Sequence, residues 1–280
     1  MLDKEDIRQL SLEELTHKLV ALGEKPYRAK QIHEWLWKKR ATSFNDMTNL
    51  SISLREVINK HFIINAIKLG KAQKSDDRTI KNAFLLADNA VIEGVLIPTK
   101  KRMTACVSVQ VGCSLDCAFC ATGKLKRVRN LNPDEIYDQV VMISNQALEE
   151  YDIPLSNIVF MGMGEPLLNY KSLINSIEKI TSNEGLGMSP KRITVSTAGI
   201  AKMIHKLADD EVRFNLALSL HAANDEKRNK IMPINETNNL DVLKKAMQYF
   251  ALKTDLRPTL EYIVFKDFND ELEDAKELVD

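Results

Sequence analysis

From Glu5 to about Phe62 apolar residues return every three or four positions. Ser11 stands as a cap before Leu12-Glu-Glu-Leu, and a second helical stretch runs around Tyr27 to Arg40. Residues 1–66 therefore read as a small helical domain. Between 67 and 103 the spacing shortens: Phe84-Leu-Leu-Ala meets Asp88-Asn89, and Val91-Ile-Glu-Gly-Val-Leu-Ile-Pro98 follows, which predicts a linking β-hairpin. From 104 onward short apolar runs alternate with helical segments. Strands are expected at Thr104 to Val111, Asn157 to Met161, Arg192 to Thr197, Phe214 to Leu220 and Thr259 to Phe265. Helices fall near Pro133 to Tyr151, Tyr170 to Asn183, Ile200 to Asp209 and Leu240 to Leu252. This is an α/β pattern of successive β/α units, spaced for a barrel or partial barrel. Functional loops then belong at the C-terminal ends of the strands. Cys113, Gly164-Glu165, Ser196 and Ser219-Leu-His221 stand at or just past such ends. The segment Asp270 to Asp280 reads as an amphipathic helix with no cap and no strand after it, so the domain at 104–280 is expected to be cut short at its C-terminus.

Composition adds a boundary rather than a direction. The 280 residues are 44% hydrophobic and 28% charged, enough for one sizeable core with a small accessory domain. Thirty-nine basic and 39 acidic residues cancel, so any polyanion-binding surface must come from local clustering. The start, Met1-Leu-Asp-Lys-Glu-Asp, lacks the basic and apolar stretches of a signal peptide, and no run of about 18 apolar residues occurs. A cytoplasmic protein is expected. In that reducing setting four cysteines confined to 106–120 point to ligands or catalysts rather than structural disulfides.

Cys113, Cys117 and Cys120 follow the spacing C-x3-C-x2-C on one predicted loop. Three thiolates so close together can each hold one iron of a four-iron, four-sulfur (4Fe-4S) cluster, which leaves the fourth iron open to a bound molecule. A zinc site using Cys106 as fourth ligand is the other reading, although only Cys117 and Cys120 form a knuckle. One β/α unit later comes Met161-Gly-Met-Gly-Glu-Pro166. Gly164 permits close backbone approach there and Glu165 can accept hydrogen bonds from an ammonium; a plain glycine-proline turn is the bland alternative.

The cysteine spacing with Phe119 at its aromatic position, followed by this Gly-Glu-Pro strand, resembles the radical S-adenosylmethionine (SAM) superfamily. Four ordered strings carry a closer likeness: Cys106-Val-Ser-Val-Gln-Val-Gly-Cys113, Met161-Gly-Met-Gly-Glu-Pro-Leu-Leu-Asn169, Arg192-Ile-Thr-Val-Ser-Thr-Ala-Gly199 and Ala217-Leu-Ser-Leu-His-Ala222. From about Tyr27 to the end they resemble the bacterial dual-specificity RNA methyltransferase family RlmN, whose sister family is Cfr.

The resemblance implies a radical SAM partial (β/α)6-type barrel with its C-terminal part missing, a 4Fe-4S cluster on Cys113, Cys117 and Cys120, and S-adenosylmethionine as cofactor. It implies methylation of carbon 2 of an adenine in 23S rRNA and in certain tRNAs. That carbon is electron-poor, so a radical route replaces nucleophilic attack, and the cofactors do the hard chemistry while the protein binds, orients and excludes side reactions. A methyl carried on a protein cysteine is transferred, and a second thiol resolves the adduct. Cys106 matches the resolving cysteine and Glu93 the proton acceptor. Gly164, Glu165, Ser196, Ser219, Leu220 and His221 match cofactor-contacting positions. An electron donor such as flavodoxin or ferredoxin and a monomeric state are implied as well. Read without the resemblance, Cys106 could be an inert buried strand residue, Glu93 a surface carboxylate, and His221 a satisfied histidine at a strand end. One departure matters: the family's methyl-carrying cysteine lies near its C-terminus, and no cysteine follows Cys120 here. The polypeptide is therefore expected to hold the cluster and much of the cofactor pocket without completing methyl transfer. Val111 stands where Cfr carries a further cysteine, which favours carbon 2 over carbon 8.

For RNA the residues offer charge and rings. Lys25 to Arg40 holds six basic residues, three aromatics and one acid, suited to phosphate contact and stacking, or equally to a helix whose Ile32, Trp35 and Leu36 simply pack. Lys100-Lys-Arg102 and Lys124-Leu-Lys-Arg-Val-Arg129 flank the cysteine loop in sequence, and basic charge beside an active site favours a polyanionic substrate. A base within folded RNA must also be unstacked to reach a pocket. A zinc-stabilised RNA-binding protein is the non-catalytic alternative.

Overall fold

The computed structural model describes residues 4–279. Helices α1 (Leu12–Ala21), α2 (Tyr27–Trp37) and α3 (Ile52–His61) form the N-terminal unit. The first begins on a capping box, in which Ser11 Oγ accepts from the Glu14 N–H at 3.1 Å while Glu14 accepts from the Ser11 N–H at 2.7 Å. Two reciprocal bonds satisfy donors the first turn would otherwise leave bare. Two short strands, β1 (Glu5–Asp6) and β2 (Phe62–Ile63), pair in parallel and close the unit on itself.

The segment expected as a linking hairpin is part of the main sheet. Its strands β3 (Lys68–Lys74), β4 (Ile80–Leu85) and β5 (Val91–Pro98) run antiparallel, and β5 pairs with β6 (Met103–Cys106) through Val95–Cys106 and Leu96–Ala105. Beyond β6 come the two-residue strands β7 (Gln110–Val111) and β8 (Arg129–Asn130), helix α4 (Pro133–Tyr151), β9 (Asn157–Phe160), α5 (Tyr170–Thr181), β10 (Ile193–Thr197), α6 (Ala201–Asp209) and β11 (Asn215–Ser219). The chain continues through α7 (Asp225–Ile231), α8 (Leu240–Thr254), β12 (Thr259–Glu261) and α9 (Leu272–Val279).

The eight-stranded sheet has the order β12-β11-β10-β9-β6-β5-β4-β3, and its members β6, β9, β10, β11 and β12 are parallel. Each helical crossover moves one strand onward without reversal, which is the winding of a barrel rather than of a doubly wound sheet. The sheet also curls. Phe160 at the end of β9 and Glu261 at the end of β12 line one cavity, although two strands separate them in the sheet order. Five parallel strands are present among the described residues, a partial barrel of the expected α/β class.

Two expected strands are shorter. The strand expected to run to Val111 leaves the sheet after Cys106, and β7 pairs antiparallel with β8 instead. The reason is Gly112, at φ +76°, where a side-chain carbon would lie 2.2 Å from the Lys126 carbonyl oxygen. Only glycine turns the chain so tightly there. The strand expected to reach Phe265 ends at Glu261, because Ile263 donates its N–H to His221 Nδ1 at 3.2 Å rather than to a neighbouring strand. Helix α7, absent from the apolar pattern, forms on the Asn224 cap, whose side chain accepts from the Lys227 N–H at 2.8 Å.

Candidate active site

The loop between β7 and β8 carries the three cysteines. Its neck is pinned by the β7–β8 pair, by the Val128 N–H on the Val111 carbonyl at 2.8 Å and by the Cys113 N–H on the Leu125 carbonyl at 3.2 Å. Its far side is tied to α7, since the Ala118 N–H donates to the Ile231 carbonyl at 2.9 Å. Cys113, Cys117 and Cys120 are half-buried and face one open cavity of about 440 Å³ at the C-terminal ends of the parallel strands. Burial, with the neighbouring Cys120 and Cys113 acting in the same direction, pushes the Cys117 thiol up to about 12. Cys113 moves the same way, chiefly through burial. Thiols so crowded and dry stay protonated unless a metal takes the proton's place.

Opposite the loop, Gly164 adopts φ +96° and brings the chain so close to Gln110 that a side-chain carbon would sit 2.5 Å from that residue's Cβ. Glu165 is buried and its carboxyl is held by three donors. Its Oε1 accepts from the Leu167 N–H at 3.0 Å and the Thr197 hydroxyl at 2.7 Å, and its Oε2 from the Ala198 N–H at 2.8 Å. Burial raises its pKa while these bonds oppose the rise. A carboxylate offers about four acceptor sites, so one remains on Oε2 for a ligand donor.

Ser196 and Ser219 close the third side with their hydroxyls 3.3 Å apart, both within reach of Glu261 Oε2 at 2.8 and 3.4 Å. His221 sits at φ +57°, edge-on to the Phe119 ring at 4.8 Å, and its Nδ1 accepts from the Ile263 N–H. Burial, reinforced by Arg228, lowers its pKa to about 4. It is therefore a neutral imidazole whose proton is on Nε2.

Three of the residues singled out in the sequence lie elsewhere. Leu220 turns away from this cavity into an apolar one shared with Leu218 and Leu243. Glu93, on β5, is exposed and paired with Lys81 at 2.9 Å, though its carbonyl accepts from Ser108 Oγ, which also accepts from the Met163 N–H at 2.8 Å, so its backbone is fixed to the Gly-Glu-Pro segment. Cys106 is buried just behind the cavity, its thiol pushed up to about 11 by burial and eased back by the Met161 backbone. Sequence reasoning missed Thr197, Glu261 and Arg228. Glu261 could have been found by the same strand-end rule that drew attention to Ser196 and Ser219.

The basic clusters separate. Lys124, Lys126 and Arg127 are exposed beside the cysteine loop, whereas Arg129 is committed to Asp88 and Glu135. Lys100, Lys101 and Arg102 precede β6 and stand at the opposite end of the sheet, which corrects the expectation that they flank the site. Along α2 the rings mostly pack: Trp37 is buried edge-on against Tyr137 at 5.3 Å, while Tyr27 remains exposed.

Residues 5–64 match the ribosomal RNA large subunit methyltransferase N-terminal domain, and residues 107–279 match the radical SAM superfamily. Over 276 residues the chain is 60% identical to a probable dual-specificity RNA methyltransferase RlmN of Christiangramia forsetii, covering 99% of this chain and 78% of that protein. A protein of the same name from Bacillus subtilis is 42% identical over 280 residues, with coverage of 99% and 76%. The chain belongs to the RlmN family. In three dimensions it resembles a radical SAM methyltransferase from Sphaerobacter thermophilus with a TM-score of 0.90 and 37% identity, over 98% of this chain and 80% of that one.

As an RlmN-family radical SAM enzyme it uses a 4Fe-4S cluster and S-adenosylmethionine. The donor set fits such a cluster. Among the described residues no three His, Cys, Asp or Glu side chains converge as they do around one ion. Yet the three cysteines, carried on one loop, line a single cavity, as ligands spread over separate irons would. A single zinc needs four donors on one ion, and Cys106 does not line that cavity. Among the described residues no helix is long and apolar enough to cross a membrane.

Proposed function

We propose that this chain is the radical SAM part of an enzyme that methylates carbon 2 of an adenine in 23S rRNA and in certain tRNAs, working in the cytoplasm as a monomer with flavodoxin or ferredoxin as electron donor. The observation that carries the reading is the single cavity in which Cys113, Cys117 and Cys120 face Glu165 and the Ser196–Ser219–Glu261 group. When bound, the cluster supplies the electron that cleaves S-adenosylmethionine. The free acceptor position of Glu165 suits the cofactor's ammonium, and a carboxylate with two hydroxyls suits the paired hydroxyls of its ribose. His221, neutral and edge-on to Phe119, shapes the wall without adding charge.

In this reading Cys106, behind this wall, resolves a covalent adduct. Burial keeps it protonated until the substrate is in place, which guards it against premature oxidation. Glu93 can accept the carbon-2 proton only if the RNA lies over the exposed face of β5. The exposed Lys124, Lys126 and Arg127 on the cysteine loop and Lys38, Lys39 and Arg40 just past the end of α2 offer phosphate contacts for such a substrate. Carbon 2 in preference to carbon 8 rests on Val111.

The test is anaerobic reconstitution with iron and sulfide, reduction in the presence of S-adenosylmethionine, and assay for 5′-deoxyadenosine beside Cys117→Ala. Product that disappears in the variant supports the reading. Folded protein that gains one zinc per chain, holds no iron and makes no product would replace it with a zinc-stabilised RNA-binding protein.

A further inference from the structure

Arg228, on α7, is fully buried, and every group it bonds is a neutral oxygen. Its Nε donates to the Leu220 carbonyl at 3.0 Å, Nη1 to Asn235 Oδ1 at 2.6 Å, and Nη2 to the Ala198 and Ser219 carbonyls at 2.7 and 3.1 Å. A buried cation is expensive unless it is paired, and a hydrocarbon side chain of similar volume is commonly the more stable choice. The four bonds give it a mechanical use. Ala198 follows β10, Ser219 ends β11 and Leu220 follows it, so one guanidinium fork fixes the strand ends that carry Ser196, Ser219 and His221. They do not explain why the brace is charged, because an amide could hold carbonyls as well.

The helix supplies the reason. Three residues after Arg228, the Ile231 carbonyl accepts the Ala118 N–H at 2.9 Å, so α7 lies directly against the cysteine loop next to Cys117. Burial lowers the Arg228 pKa only to about 10. At neutral pH the arginine keeps its charge. Three thiolates outweigh the positive charge of the oxidised cluster they hold, and one electron entering from an external one-electron reductant, with no proton, makes the site more negative still. A fixed positive charge in a dry setting is worth most to the reduced form.

We propose that Arg228 is a positioning residue with a second duty, a built-in countercharge that raises the reduction potential of the cluster on Cys113, Cys117 and Cys120 while bracing the loops of the cofactor pocket. Asp225 works against it. This carboxylate accepts from Asn235 Nδ2 at 2.8 Å and from the Leu240 N–H at 3.0 Å, and Asn235 is itself the partner of Arg228, so Asp225 partly masks the arginine.

The inference rests on the cluster being held by the three cysteines, and iron and sulfide content of each protein tests that separately. The full chain and its Arg228→Gln, Arg228→Lys and Asp225→Asn variants are reconstituted, and the midpoint potential is read from the reduced-cluster electron paramagnetic resonance signal during a redox titration. Arg228→Gln is expected to lower the potential by at least a tenfold change in the reduction equilibrium, about 59 mV for one electron. Arg228→Lys, which keeps the charge and loses the fork, stays near the parent value. Asp225→Asn keeps the acceptor for both its bonds and removes the masking charge, so it moves the potential upward. A purely structural brace predicts no shift of opposite sign. Loaded Arg228→Gln with the parent potential overturns the proposal. If that variant takes up no iron, Asp225→Asn decides alone, and an unchanged or lowered potential overturns it.

Discussion

At the scale of single residues the site is a set of groups held in unusual states by their surroundings. Glu261 illustrates how far a strand end can matter: it collects both Ser196 and Ser219 on one carboxylate oxygen. Losing a hydrogen bond to a charged group is worth about 1.5–3 kcal/mol, so Glu261→Ala should weaken S-adenosylmethionine binding roughly tenfold to a hundredfold. Equilibrium binding to the reconstituted, anaerobic protein reads this, and parent-like affinity would remove Glu261 from the pocket's polar wall. His33, outside the site, gives a pH test. Burial and the Lys179 ammonium, 3.0 Å from its Nε2, lower its pKa to about 4 against an ordinary 6.5. Below 6.5 the unfolded chain takes up a proton that the folded chain refuses, so this contribution is full above that pH and is lost as pH falls toward 4. Between pH 7 and 5 the parent should lose on the order of 1–2 kcal/mol more stability than His33→Gln, measured by denaturant unfolding at each pH.

At the scale of elements, backbone requirements decide where strands stop. The helix expected near Pro133 to Tyr151 has those bounds in the structure, where Pro133 opens it and the Asn132–Glu135 box caps it. The end of β6 was not legible. Val107, Val109 and Val111 continue the alternation past Cys106, and only a carbonyl brought from Lys126 against Gly112 explains why the chain turns away. Gly112→Ala would force an alanine into a left-handed conformation, about 1–2 kcal/mol of strain, and into a backbone oxygen as well. The expected outcome is a displaced cysteine loop with sharply reduced iron uptake on reconstitution. Parent-like iron content would show that the neck of the loop tolerates movement. Helix α7 escaped the pattern because Glu226, Lys227, Asn229 and Lys230 are polar, and its one fully buried side chain is an arginine.

At the scale of the whole molecule the N-terminal unit is fastened to the barrel by a buried ionic lock. Arg8 makes two bonds to Asp138 at 2.8 and 2.9 Å, an ion pair with Asp134 at 3.1 Å and a bond to the Asn65 carbonyl at 2.8 Å. Burial raises the pKa of both aspartates while Arg8 holds it down. Breaking a buried pair by removing one partner leaves an uncompensated charge, so Arg8→Ala should cost about 3–5 kcal/mol in unfolding free energy. Limited proteolysis should then cut between residues 63 and 68, and unchanged stability would mean that apolar packing alone joins the two parts. The same scale shows why basic residues near in sequence to the cysteines are not equal. Lys124, Lys126 and Arg127 share the loop, whereas Lys100 to Arg102 are carried by β6 to the far end of the sheet.

The sequence by itself determined the class of fold, the winding of successive β/α units, the cysteine loop and the Gly-Glu-Pro segment, because each rests on spacing within a few residues, where local geometry leaves few options. The antiparallel extension β3–β5 that continues the sheet, the curl that gathers Phe160 and Glu261 around one cavity, the three donors on Glu165 and the buried place of Arg228 were decided only by the tertiary structure. Each depends on at least one contact between residues more than ten positions apart in the chain. Which of them meet depends on sheet curvature and loop packing summed over the whole chain, and no window of sequence contains that sum.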